Sequence, residues 1–152
     1  MREILFRGKL LSDRRWAEGN LDIKKSGVCI ITPDETPLGC YGQVDPETVG
    51  QYTGMNDRHG KRIFENDIVE VCGGREERYL IWWVREMSML TAIPVDEISF
   101  NGQDYWNGYY PQFEYSTFCA MMQDPWGDFR DIRVIGNIHD NPELIGGKED
   151  GT

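Results

Sequence analysis

The sequence predicts a mainly β chain: an N-terminal β-hairpin region followed by a small SH3-like barrel, with one or two short helices. Apolar residues recur at every second position in short runs, the period of a strand rather than a helix. β-Branched and aromatic residues fill those runs. Clusters of Gly, Pro, Asn and Asp divide them at short intervals.

Taken in order, residues 2–9 alternate, with Ile4 and Phe6 on one face and Arg7 and Lys9 toward the other. Ser12-Asp13 marks a turn, and residues 15–23 return as a second strand carrying Trp16, Leu21 and Ile23. Residues 28–32 form a third, β-branched run. Pro33, Pro37 and Gly39 make 33–42 a loop. Asp45 before Pro46 starts a helix, because Asp accepts the first free N–H groups and Pro fits the first helical position; Gly50 limits it to a single turn. Residues 56–60, Asn-Asp-Arg-His-Gly, are a dense turn signal.

The small barrel is expected around residues 60–95. Short apolar Ile63-Phe64 precedes a turn at Glu65-Asn66-Asp67, and a strand follows over 68–71. Gly73-Gly74 breaks it. Residues 79–84, YLIWWV, place Leu80, Trp82 and Val84 on one face and Tyr79, Ile81 and Trp83 on the other. A strand apolar on both faces is buried on both, or uses one in an oligomer contact. A further strand covers 87–95. Residues 101–112 form a loop bearing Tyr105, Trp106, Tyr109 and Tyr110. Phe118, Met121 and Met122 sit at helical spacing in a short helix over 113–123, which Pro125 ends. Ile132, Val134, Gly136 and Ile138 alternate in a last strand, and Asn141-Pro142 opens another helical turn.

A chain of 152 residues is one domain over 1–145, or two subdomains meeting at a seam near 33–60, with 146–152 as a disordered polar tail. The four cysteines form no C-x-x-C pair, and the charged N-terminus has no secretory pattern. Free thiols in a reducing cytoplasm are expected. No apolar run reaches the ~20 residues that span a bilayer, so no membrane contact is expected. The net charge of −10 disfavours general attraction to nucleic acid. The exception is residues 1–25, where seven Lys/Arg face four acids.

Four blocks carry a family pattern: residues 2–9 (REILFRGK), Trp16 to Leu21 (W-x-x-G-x-L), residues 45–69 (DPETVGQYTGMNDRHGKRIFENDIV) and 135–145 (IGNIHDNPELI). In order and spacing they resemble the YopX family of phage and prophage proteins, across nearly the whole chain except about 85–130. The resemblance implies the cytoplasm of a bacterial host cell. It implies no reaction, because the family's biochemical activity is unassigned. Asn66 stands where the family commonly has a glycine before the Asp-Ile-Val strand; Asn tolerates the left-handed backbone such a turn needs. The blocks hold mostly fold-makers, namely glycines, Pro142 and apolar strand residues.

No residue cluster reaches a named chemistry. His59 and His139 are far apart, and zinc sites want clustered His and Cys. Residues 56–60 lack the spacing and the closing Glu of a calcium loop, so they read as a turn. Cys72 and Cys119 have no local basic partner and read as small buried hydrophobes. The pairs Glu65/Asp67, Asp96/Glu97 and Asp128/Asp131 arise easily among 26 acids. No Gly-rich loop opens a helix for phosphate. No catalytic, cofactor or metal residue is therefore expected.

The expected function is a non-enzymatic interaction factor that binds a host or phage protein and forms a homo-oligomer. Its candidate surface is Tyr105, Trp106, Tyr109, Tyr110 and Trp83. The alternative is a nucleic-acid-binding regulator using the basic hairpin and the aromatics, or an acidic mimic of DNA. An enzyme ranks last.

Overall fold

The computed structural model describes residues 1–33, 42–72, 77–85, 88–98, 116–117 and 131–145. The chain is mainly β and divides into two compact units, residues 1–56 with 62–65 and residues 57–61 with 66–152.

The first unit holds strands β1 (Phe6–Lys9), β2 (Trp16–Ile23), β3 (Cys29–Thr32), β4 (Gly42–Val44), β5 (Gly50–Asn56) and β6 (Arg62–Phe64). They form one antiparallel sheet in the order β4-β3-β2-β1-β5-β6. The sheet curls back on itself. Leu10, just past β1, bridges Val44 of β4. The Leu11 N–H donates to the Gln43 carbonyl at 3.0 Å, and the Asp45 N–H to the Lys9 carbonyl at 2.8 Å. Inside the curl lie Cys29, Ile31 and Val44, with Phe6, Leu10, Ala17, Leu21 and Val49 against them. The curl needs a residue without a side chain on β2, since a Cβ at Gly19 would stand 2.1 Å from the Thr32 carbonyl oxygen.

The helical turn expected at 45–49 is a 3₁₀ turn, Pro46–Thr48. Asp45 caps it by accepting the Glu47 N–H at 3.1 Å. Thr48 ties this turn to β1, with its hydroxyl accepting the Lys9 N–H at 2.8 Å. Strand β5 was not anticipated. Two glycines and polar residues give it a turn-like composition, yet β1 and β6 pair with it on either side. Tyr52 faces Leu5 and Phe64 in a second small cluster.

The second unit holds β7 (Asp67–Cys72), β8 (Glu77–Val84), β9 (Met89–Pro94), β10 (Ser116–Thr117) and β11 (Asp131–Asn137), in the order β10-β9-β8-β7-β11. Asn66 opens β7 at φ 70°, the left-handed geometry expected at that position. Its N–H donates to the Ile81 carbonyl at 2.7 Å, and its carbonyl accepts the Ile138 N–H at 3.1 Å. One cluster gathers Ile68, Leu80, Ile93, Val95 and Ile98, flanked by Trp82, Ile135, Ile138, Leu144 and Ile145. On the opposite face of the sheet Val69, Ile81, Ala92 and Ile132 are also buried. β8 is thus buried on both faces, Leu80 and Val84 on one and Ile81 on the other, which accounts for its double-sided apolar sequence.

Two expected elements fall differently. The segment 60–95, expected as the small barrel, contributes β6 to the first sheet and β7, β8 and β9 to the second. Of the helix expected over 113–123, residues 116–117 are strand, paired with Ala92 and Thr91 of β9. Cross-strand hydrogen bonding outweighs the helical spacing of three side chains there; the rest of that segment and the tail lie outside the described residues. Residues 142–144 form the expected turn as a 3₁₀ piece.

Among the described strands, β11 stands at the edge of its sheet and pairs with β7. Its outer side is covered by residues 57–61. The Arg58 N–H donates to the Ile132 carbonyl at 2.9 Å. The Val134 N–H donates to Asp57 Oδ2 at 3.1 Å. Farther along, the Asn137 N–H donates to Asn141 Oδ1 at 3.3 Å, and the Asn141 N–H to the Asn137 carbonyl at 2.8 Å.

Candidate functional site

Trp83 is the one predicted surface residue that falls within the described chain. It sits near the end of β8 and pairs across to Leu90 of β9. Its neighbours Leu80, Ile81 and Val84 are 4% exposed or less, whereas Trp83 is 46% exposed. β9 pairs with the backbone at Trp83, while the pairing of β8 with β7 runs from Glu77 to Leu80. A half-exposed indole on a paired strand offers a large apolar face and an N–H donor, the combination that dominates protein contact energies. Tyr105, Trp106, Tyr109 and Tyr110 lie outside the described residues.

The N-terminal hairpin places its basic residues differently from a phosphate-binding face. Arg7 is buried at 7% exposure. Its guanidinium lies 4.5 Å from the Trp16 ring centre and 4.8 Å from that of Phe64. Lys9 Nζ approaches the same Trp16 ring at 5.4 Å. Such stacking is attractive because the ring faces are negative, and it makes Arg7 a core cation. Arg14 pairs with Asp45 at 3.1 Å, Arg15 with Asp13 at 2.6 Å, and Lys24 with Asp22. Arg62 lies 3.3 Å from Glu3 and 3.5 Å from Glu18. The first unit holds eight Lys/Arg against nine Asp/Glu, so nearly all of the chain's −10 falls on the second.

Of the carboxylates singled out in the sequence, Glu65 belongs to the first unit and Asp67 to the second, and Asp128 lies outside the described residues. Burial raises the Glu65 carboxyl, opposed by the Gln51 N–H and by Arg2. The Gln51 N–H reaches Glu65 Oε2 at 3.1 Å. Asp57 is 8% exposed and accepts the His59, Lys61 and Val134 N–H groups at 2.8, 2.9 and 3.1 Å. Burial pushes its carboxyl up, but these donors and His59 outweigh it and hold the group below its ordinary value. Both Asp57 oxygens are thereby engaged by backbone, as a turn requires. Asp131 pairs with Arg58 at 2.5 Å, and Asp96 is exposed.

The histidines serve in turns through their backbone: His59 N–H on Asp57, and His139 N–H on Asn137 Oδ1 at 3.0 Å. The Cys29 thiol is buried, 3.6 Å from the Gly27 carbonyl. Among the described residues no group of three or more His, Cys, Asp or Glu could hold a metal. No helix among them is long and apolar enough to cross a membrane.

Two features were missed in the sequence. Glu70 is nearly buried on β7 between Arg133 of β11 and Arg78 of β8, a charged ladder across three strands. Its signal was present as an acid amid an apolar strand. Asp57 was read as a turn residue only, because its bond to Val134 spans 77 positions.

A search of curated proteins finds no match to the chain. The family model described as YopX protein matches residues 6–146, which covers every strand of both sheets. The chain belongs to the YopX family.

Proposed function

We propose that this chain is a non-enzymatic binding protein, a phage or prophage accessory factor acting inside a bacterial cell, and that it docks a protein partner on the β8–β9 surface around Trp83. The observation that supports it is the 46% exposure of Trp83 on a strand whose Leu80, Ile81 and Val84 are buried. Leaving an indole half in water forgoes burial that the fold could use, which suits a residue reserved for a partner. The pairing of hairpin cations with acids, and the charge of the second unit, make a protein partner the better reading than nucleic acid.

The test is affinity capture from nuclease-treated bacterial lysate, wild type beside Trp83→Ser, read by mass spectrometry. A protein held by wild type and weakened about 30-fold or more by the substitution, with the variant still folded by circular dichroism, supports the reading; that loss is the size expected for an aromatic anchor. Capture that needs intact nucleic acid, or that ignores the substitution, overturns it.

A further inference from the structure

We propose that residues 57–61 are a displaceable cap on the outer edge of β11, and that the uncapped edge pairs with β11 of a second copy of this chain. The cap imitates a strand with two groups. Arg58 gives its N–H to the Ile132 carbonyl at 2.9 Å. Asp57 gives a carboxylate oxygen to the Val134 N–H at 3.1 Å. Ile132 and Val134 stand two positions apart, so their backbone groups point to the same side of the strand, away from β7.

An antiparallel copy of β11 centred on Arg133 supplies the same two groups. Its own Val134 N–H meets the Ile132 carbonyl, and its Ile132 carbonyl meets the Val134 N–H. The remaining Ile132 N–H and Val134 carbonyl complete the ladder by the same symmetry. The edge is self-complementary, which is what a two-fold interface requires. Facing Arg133 residues ordinarily repel. Here each lies on the Glu70 carboxylate of its own chain, which stays with it in the pair.

Among the described residues, what holds the cap is small. One carboxylate bond, one backbone bond and the Arg58–Asp131 pair, in which both side chains are more than 40% exposed, fasten it to β11. Unpaired edge strands recruit other strands, so a sheet protected this lightly is poised between two pairings. This inference does not depend on the Trp83 surface.

Two substitutions loosen the cap by different means. Asp57→Ala removes the acceptor. Arg58→Pro removes the N–H and the ion pair while suiting the second position of the turn closed by the Gly60 N–H on the Asp57 carbonyl. Size-exclusion chromatography with light scattering, over a range of protein concentrations, should show the mass of each variant doubling relative to wild type as concentration rises. Adding Val134→Pro deletes the outward N–H, which an edge strand tolerates, and should return either variant to the wild-type mass. If Asp57→Ala fails to fold, Arg58→Pro decides alone. A folded variant that keeps the wild-type mass at every concentration overturns the proposal. So does association that Val134→Pro leaves intact.

Discussion

Asp57→Ala is expected to lower the stability of the folded chain by about 3–4 kcal/mol. The carboxylate accepts three N–H groups at 2.8, 2.9 and 3.1 Å. Bonds to a charged acceptor are worth about 1.5–3 kcal/mol each where no water replaces them. His59 and Lys61 are exposed, so water recovers much of those two, leaving about 1 kcal/mol each. The Val134 N–H lies on a strand edge under the loop and loses about 1.5–2 kcal/mol. Asp57→Asn keeps an oxygen for the loop but turns an N–H donor toward Val134, so it should cost about 2 kcal/mol. Urea unfolding of dilute protein, followed by far-ultraviolet circular dichroism, measures both. The pH dependence carries the sign. The carboxyl lies below its ordinary 3.8 when folded, so its contribution is complete above that value and lost as pH falls through the lower folded value. The gap between wild type and Asp57→Ala should therefore hold from neutral pH down to about 5 and close below about 3.8. An Asp57→Ala variant within about 0.5 kcal/mol of wild type at neutral pH would refute the role assigned to this side chain.

Gly19→Ala puts a methyl group 2.1 Å from the Thr32 carbonyl oxygen, and β2 and β3 must part to admit it. A loss of about 3 kcal/mol, or about 10 °C in melting temperature, is expected by calorimetry. Glu70→Ala leaves Arg133 and Arg78 facing each other without their acid and should cost about 2 kcal/mol in urea unfolding, whereas Arg78→Ala, at 3.6 Å and 41% exposed, should cost under about 1 kcal/mol. Ile81→Ala, on a fully buried side chain, should cost about 3–4 kcal/mol, while Trp83→Ser two positions along, where the indole is 46% exposed, should cost about 1–2 kcal/mol.

The strands that alternate were legible because alternation reports burial directly. β2, β3, β7, β8, β9 and β11 all fall where side chains of period two meet a core. β5 was illegible for the opposite reason. Gly50, Thr53 and Gly54 have little to bury, and the strand exists because β1 and β6 supply its hydrogen bonds from afar. The Asn66 turn was readable from chemistry alone, since few residues other than Gly adopt φ 70° readily. The candidate site was only partly readable. The sequence marks β8 as apolar on both faces and Trp83 as a candidate surface residue, but how far that indole stays in water depends on strands paired across the sheet. The hairpin's charge pairing was unreadable for the same reason, since Arg14 meets Asp45, 31 positions distant.

Neither unit is a continuous stretch of chain, and this bears on how the protein is made. Synthesis runs from the N-terminus, and the first unit is complete once Glu65 has emerged. By then residues 57–61 have also been made, but the strand they cover, Asp131–Asn137, does not exist for another 65 residues. During that interval Asp57 has no Val134 to receive. When β11 arrives, the loop that covers its outer edge has long been made, so the edge can be covered as soon as the strand pairs.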